Sequence, residues 1–398
     1  MILNYITFFY FFSFLFYLLL MIADKKIFGK IATIITAAGF LGHTTAIILR
    51  WIESYQMGIG RAPLSNMYES LVFFSWTVIL LYLLIEWRIS NKSIGVFATP
   101  IAFLIMAYSS FSNSDIQPLL PALKSNWLIA HVITCFFGYA AFALSFGLSY
   151  MYFLRGLNKL NPLSTNSRLS RDKYLDIFVI LFIHVVFIIL IFILAYDSLI
   201  KNIGSDSMGL TKFLSLFALV IYLLLIILTF LIFLFQSIRR THDLNTQGII
   251  LLIPIYNFFI LFLLLFEKGL EKNNKYGPPD MYYDDSTTSL LKIVPNHSIL
   301  EELSYQMVVI GFIMLTLGII TGAVWANSAW GTYWSWDPKE TWSLITWFVY
   351  AAMLHSRLIS GWRGKRLALF SIIGFCCVIF TYLGVNLLLS GLHSYGSS

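Results

Sequence analysis

Charge is what this chain has least of. Only 11% of its 398 residues are charged, whereas 59% are apolar, and the mean hydropathy is +0.81. A soluble protein of this length could not cover so much apolar surface. Cysteine is scarce as well. Cys135, Cys376 and Cys377 are the only three, all in apolar runs, and no Cys-x-x-Cys occurs. That spacing argues against a thiol relay and against a thiolate zinc site. The short alternating segments of a membrane β-barrel are absent. So are a nucleophile–base pair, a phosphate loop and a metalloprotease motif. The net charge of +7 is gathered in a few short loops, as membrane topology requires, and calls for no nucleic-acid partner. The N-terminus has no basic stretch before its apolar run and no small-residue cleavage site, so it reads as a retained helix rather than a signal peptide.

What is present is a series of long apolar runs. They fall at 1–22, 31–50, from the 61–76 segment to near Trp87, 95–110, 127–154, 174–196, 211–236, 248–266, 304–326, 342–356 and 367–390. Runs of this length read as spanning helices, which satisfy their own backbone in lipid. The expected class is an all-α polytopic integral membrane protein with roughly 9–11 transmembrane helices and a tryptophan-rich surface segment. Ser65, with Glu69 four residues on, gives a loose start signal for the third helix. The polar stretch 267–303, rich in Asn, Pro, Asp and Ser, reads as a long mobile surface loop.

Basic clusters set the orientation. Lys25, Lys26 and Lys30, then Arg88 and Lys92, then Arg155 to Lys173, then Arg357 to Arg366 mark one side. The N-terminus, loops 51–66 and 111–126, the tryptophan segment and the C-terminal tail fall on the other. This holds only if an even number of spans separates residue 155 from residue 304, yet three apolar runs lie between them. The run 248–266, with Pro254 and Asn257, is the candidate to lie flat, re-enter or form a hairpin.

Six of the eleven tryptophans fall in Trp325–Trp347, WANSAWGTYWSWDPKETWSLITW. Charges and Pro338 interrupt it, so it is not a span. A lone tryptophan at this level would be an ordinary interfacial anchor. Six in 23 residues are too dense for that, and suit a large, flat, apolar ligand with a polar edge, with haem as the first candidate. A quaternary ammonium or quinone cage is the rival of another class.

His131 and His393 fall on the tryptophan side at the membrane edge. Two neutral imidazoles can ligate haem iron from opposite faces; each taken alone reads equally as an interfacial histidine making hydrogen bonds. His355 lies 13 residues past Trp342, about 20 Å along a helix, toward the far leaflet. It is either a functional intramembrane histidine or a helix-end histidine snorkelling beside Arg357. His43 and His184 lie mid-span, and each reads either as a ligand or, more ordinarily, as a histidine hydrogen-bonded within the bundle; His242 and His297 lie in loops. Asp337, before Pro338, reads as a helix N-cap with proline at N1, and Asp337 and Glu340 with Lys339 between them as a local cap and ion pair rather than an acid–base pair.

At WGTYWSWDPKETWSLITW the chain resembles the WWD family of haem-handling proteins in cytochrome c maturation. With GAVWAN before it, LHSR after it, GVNLLLSGLHSYGS at the C-terminus, and RAPLSNMYESLVFFSW and WLIAHV upstream, it is similar to the CcsA group of the plastid and bacterial system II. The resemblance covers roughly 30–155 and 303–398. It divides the chain into an N-terminal membrane bundle (1–155), a stretch with extra apolar segments that is atypical of the family pattern (156–302), and a WWD haem-handling membrane domain (303–398).

The resemblance implies a subunit of a membrane cytochrome c synthase in a plastid thylakoid membrane. Such a subunit works with a CcsB-type partner, carries haem b as substrate, and presents it to apocytochromes c for joining to the thiols of Cys-x-x-Cys-His. It implies His131 and His393 as axial ligands of an external site, Trp330, Trp334, Trp336 and Asp337 in the segment holding the porphyrin, and His355 as an intramembrane ligand whose opposite histidine comes from the partner. Lacking Cys-x-x-Cys, the chain would need a separate lumenal thioredoxin-like reductant. The alternative within the family is a haem exporter or chaperone loader without ligation activity; the GLHSYG tail and residues 61–76 favour the synthase.

Overall fold

The computed structural model describes residues 2–118, 124–156, 169–204, 209–245, 264–265, 267, 274 and 293–389. All regular structure among them is helical: α1 (Ile2–Ala23), α2 (Lys26–Gln56), α3 (Met67–Ile89), α4 (Gly95–Ser109), α5 (Asn126–Gly156), α6 (Arg171–Gly204), α7 (Gly209–Asp243), α8 (His297–Trp330), α9 (Pro338–Leu358) and α10 (Lys365–Ile379). A π-helical turn (Phe380–Gly384) and one further helical turn (Val385–Leu388) continue α10. Eight helices among the described residues are long and apolar enough to cross a membrane, and the chain is an all-α multi-pass membrane protein. α9 is not one of the eight; Lys339, Glu340, His355 and Arg357 at its two ends leave its apolar middle short.

Helices run further than the apolar runs suggest, because polar residues complete their last turns. α2 extends a turn or more beyond 31–50 at each end. α8 begins at His297 behind Asn296, so the expected loop 267–303 gives up its last residues to a helix. The start of α3 is set by Asn66 rather than Ser65: the Asn66 side chain accepts from Glu69 N at 2.8 Å, while Glu69 Oε2 reaches back to Ser65 N at 3.0 Å. The apolar run 248–266 lies almost wholly outside the described residues, as does His393.

The chain forms two compact units, residues 1–152 with 289–398, and residues 153–288. In the first, neighbouring helices are antiparallel and the loops sort by end. Arg50 and Arg61 donate to the carbonyls of Ser114 and Gln117, at 2.8 Å each, and Asn66 donates to that of Asp115 at 3.3 Å. Loops 57–66 and 110–118 therefore share one end. At the other end Asn91 donates to Ile293 O at 3.2 Å, Gly364 N to Glu301 Oε2 at 2.9 Å, and the rings of Tyr152 and His297 meet at 4.6 Å. This end carries the basic clusters of the first unit. The last turns of α5 and the first of α8 therefore meet at this end.

Polar side chains inside the bundle are satisfied in pairs, as burial demands. Ser13 pairs with Thr36 between α1 and α2. The Glu86 carboxylate accepts from Tyr17, Tyr82, Thr33 and Lys92 at the basic end. Ser145, Ser304 and Ser371 tie α5, α8 and α10 together at 2.7–2.8 Å. Phe142 of α5 stacks on Tyr350 of α9 at 3.6 Å. α5 and α8 approach closely. A Cβ on Gly138 would lie 3.2 Å from Gly311 O, and one on Gly318 would lie 2.5 Å from Cys135 Sγ. Small residues let membrane helices pack backbone to backbone in this way.

In the second unit α6 and α7 form an antiparallel hairpin. Tyr174 Oη and Ser237 Oγ are 2.9 Å apart, and Leu169 N donates to Arg239 O at 3.2 Å. Leu169, Tyr174, Ile177 and Leu264 form its core. Fully buried Arg240 is held by Asp243 and by the carbonyls of Leu264 and Glu267.

Candidate haem site at the tryptophan end

His131 sits in the second turn of α5, and α8 fixes its ring. Nδ1 lies 2.7 Å from the carbonyl oxygen of Gly318. A carbonyl can only accept, so Nδ1 carries the proton and the lone pair sits on Nε2, the arrangement of a metal-ligating histidine. The imidazole is stacked over Trp325, with ring centres 6.2 Å apart and planes 20° from parallel. Cys135, one turn on, brings Sγ to 3.6 Å from Nδ1.

Trp325 is buried at 4% exposure and meets Trp330 edge-on at 4.8 Å. After Trp330 the helix ends at Gly331, whose φ of 79° closes a left-handed cap. Residues 331–337 then cross to α9. Within them Trp336 adopts φ of 59°, an uncommon conformation for a bulky residue. Its ring is 69% exposed and stands edge-to-face with Trp334 at 5.8 Å.

The backbone on both sides of Trp336 is clamped by one carboxylate. Glu340 Oε2 accepts from Ser335 N at 2.8 Å and from Asp337 N at 3.2 Å, while Asp337 Oδ1 accepts from Lys339 N at 2.9 Å. This is a capping box with Pro338 at N1. Asp337 is therefore a helix cap, as its place before Pro338 suggests. Burial favours the neutral amine of Lys339 and pushes its pKa down to about 8, against the opposing pull of the Asp337 carboxylate.

The six tryptophans do not form one shelf. Trp325, Trp330, Trp334 and Trp336 gather at this end. Trp342 instead packs on Phe380 at 4.2 Å, and Trp347 turns into the bundle, donating its indole N–H to Thr316 at 2.9 Å. They hold α9 against α10 and α8.

His355 is not brought to this end. Eighteen residues separate it from Asp337, about 27 Å along α9. It is exposed on the flank of that helix, which also carries exposed Ile345, Phe348, Leu358 and Ile359. His43 is fully buried with Nδ1 3.0 Å from Tyr10 Oη, and His184 bonds its own helix at Ile180 O, 2.7 Å away.

Sequence reasoning missed Gly318, Gly322 and Lys339. The spacing of Gly311, Gly318 and Gly322 puts them on one face of α8, which is legible. That this face meets His131 depends on α5 pairing with α8 across an intervening stretch of 140 residues.

Among the described residues no group of three or more His, Cys, Asp and Glu is placed to hold a bare metal ion. An imidazole with its tautomer fixed, beside aromatic rings, suits a metal whose remaining ligands come from a macrocycle.

A family model described as "Cytochrome C assembly protein" matches residues 64–199 and 208–393. The chain belongs to that family. Among similar proteins are those named "Cytochrome c biogenesis protein CcsA" from Nostoc sp., 34% identical over 362 residues (89% of this chain and 85% of the relative), and from Mesostigma viride, 35% identical over 363 residues (90% and 84%). The same-named protein of Chlorella vulgaris is 32% identical over 363 residues (89% and 82%). The match runs unbroken through α3–α5 and most of α6, and again from the start of α7 to the C-terminal segment, so it includes every residue of the site described above.

Proposed function

We propose that this chain handles haem for c-type cytochrome biogenesis. It holds haem b as substrate at the tryptophan end and presents it for covalent attachment to apocytochromes c. The observation that carries this reading is His131, with Nδ1–H given to Gly318 O at 2.7 Å and its ring stacked on Trp325. Membership of the cytochrome c assembly family supports it, as does the biogenesis role printed in the names of the relatives.

In this reading His131 supplies one axial ligand and His393 the other, with Trp330, Trp334 and Trp336 along the porphyrin. Asp337 shapes the segment that carries them. His355, on an exposed apolar flank, serves a second haem position shared with a CcsB-type partner. The chain contributes positioning rather than acid–base chemistry. Fixing the vinyl groups near two thiols turns a bimolecular addition into a local one. Each thiol S–H adds across one vinyl C=C, so the step needs no oxidant. The thiols must arrive reduced, which assigns that task to a separate lumenal thioredoxin-like protein. The cyanobacterial and algal sources of the relatives support a plastid thylakoid location.

Co-expression of the chain with its membrane partner and an apocytochrome c, followed by haem staining of denatured protein, tests the reading. Covalent haem on the apocytochrome is expected. Haem bound to the complex but never joined to apocytochrome would favour a loader without ligation activity. Absence of haem from the complex would overturn the reading.

A further inference from the structure

We propose that α8 carries the positioning machinery of His131: the Gly318 carbonyl fixes the ring's tautomer and bare Gly322 leaves the space in which the ring lies, so that Nε2 is presented as the ligand atom. The inference rests on the haem-site reading.

The geometry is specific to these two glycines. Both have ordinary helical backbones, so what each provides is space and not conformational freedom. A Cβ on Gly322 would come within 2.6 Å of His131 Nδ1 and 2.8 Å of Cε1. Real Cβ atoms do not approach so closely, so an alanine there must displace the imidazole. Displacement lengthens the 2.7 Å bond to Gly318 O and turns the ring away from Trp325, which redirects Nε2. The partner that orients a ligating histidine tunes the metal as well as the ring.

Gly311 offers the control. It lies on the same face of α8, eleven residues before Gly322, or about 16 Å along the helix. A Cβ there would be 2.5 Å from Phe142, an equally severe collision with no histidine involved. If the glycines serve only to pack helices, alanine at either position should act alike.

The experiment uses the full chain with its membrane partner, purified in detergent with endogenous haem. Gly322→Ala should shift the Soret maximum and the midpoint potential, while Gly311→Ala should lower thermal stability and leave both unchanged. A second pair covers the case in which Gly322→Ala fails to fold. Gly318→Ala drives its methyl at Cys135 Sγ, 2.5 Å away, and should perturb the spectrum; adding Cys135→Ala should restore it. In the haem-free chain, nitrogen-15 shifts of the His131 ring should report the Nδ1–H tautomer in wild type and its loss in Gly322→Ala.

An unchanged spectrum in Gly322→Ala, or equal shifts in Gly311→Ala, would overturn the proposal while a changed spectrum in His131→Ala left the haem-site reading standing. An unchanged spectrum in His131→Ala would overturn the haem-site reading itself.

Discussion

Asp337 and Glu340 cap each other. The Asp337 carboxylate accepts the backbone N–H of Lys339 at 2.9 Å, and the Glu340 carboxylate accepts that of Asp337 at 3.2 Å. Glu340 also holds Ser335 N at 2.8 Å, so one side chain grips the peptide on either side of Trp336. That grip stabilises a left-handed tryptophan, whose backbone costs about 1–3 kcal/mol in such a region. Glu340→Ala should lower stability by about 1–2 kcal/mol and weaken haem retention. Glu340→Gln, which keeps an acceptor oxygen, should recover most of both. Thermal unfolding and haem content of the two variants check this; equal losses would show that the carboxylate acts by charge and not by its hydrogen bonds.

Glu69 gives the largest expected effect on stability at the same end. Its side chain is 1% exposed and pairs with Arg50 at 2.9 Å and Arg61 at 2.6 Å. The two arginines also hold the loop at Ser114 and Gln117. Glu69→Ala leaves two cations without their carboxylate, and breaking a buried pair in this way costs about 3–5 kcal/mol. Unfolding midpoints in detergent should fall accordingly, and added salt should not restore them because the pair is shielded from solvent.

Lys339 is expected to lose its proton well below the ordinary lysine value. Burial pushes its pKa down to about 8, so the folded chain holds this proton less tightly than the unfolded chain does. Stability should therefore rise as pH is raised from about 8 toward the ordinary lysine value, and be lowest where the amine is charged in both states. Acylation of Lys339, followed by mass spectrometry, should show a midpoint near pH 8, well below the ordinary lysine value. A midpoint in the ordinary lysine range would contradict the burial.

The crossing count between α5 and α8 has its own test. Reporter fusions at residues 242 and 285 should report the same side of the membrane. Opposite sides would mean that the run 248–266 crosses fully.

Much of the fold was legible from the sequence because its causes are local. Long apolar runs, basic loops and Asp337 before Pro338 each specify an element or an end without knowledge of its neighbours. The end-sorting of the first unit follows from the basic clusters alone. What was not legible depends on pairing across the chain. Nothing near Trp342 or Trp347 in sequence reveals that Phe380 and Thr316 will claim them, so six tryptophans read as one shelf when only four lie at that end. Asn66 rather than Ser65 starts α3 because the cap depends on which side chain reaches Glu69 N, a matter of one residue. His131 was singled out by its place near the start of a span; its partners Gly318 and Trp325 belong to a helix whose register against α5 no local pattern records.

The central claim is that His131 ligates haem iron. Electron paramagnetic resonance and optical spectra of the purified complex carrying His131→Gly, with and without added imidazole, test it most directly. His131→Gly should lose the low-spin bis-histidine signal and regain it when imidazole fills the space. An unaltered low-spin signal in that variant, with imidazole having no effect, would contradict it.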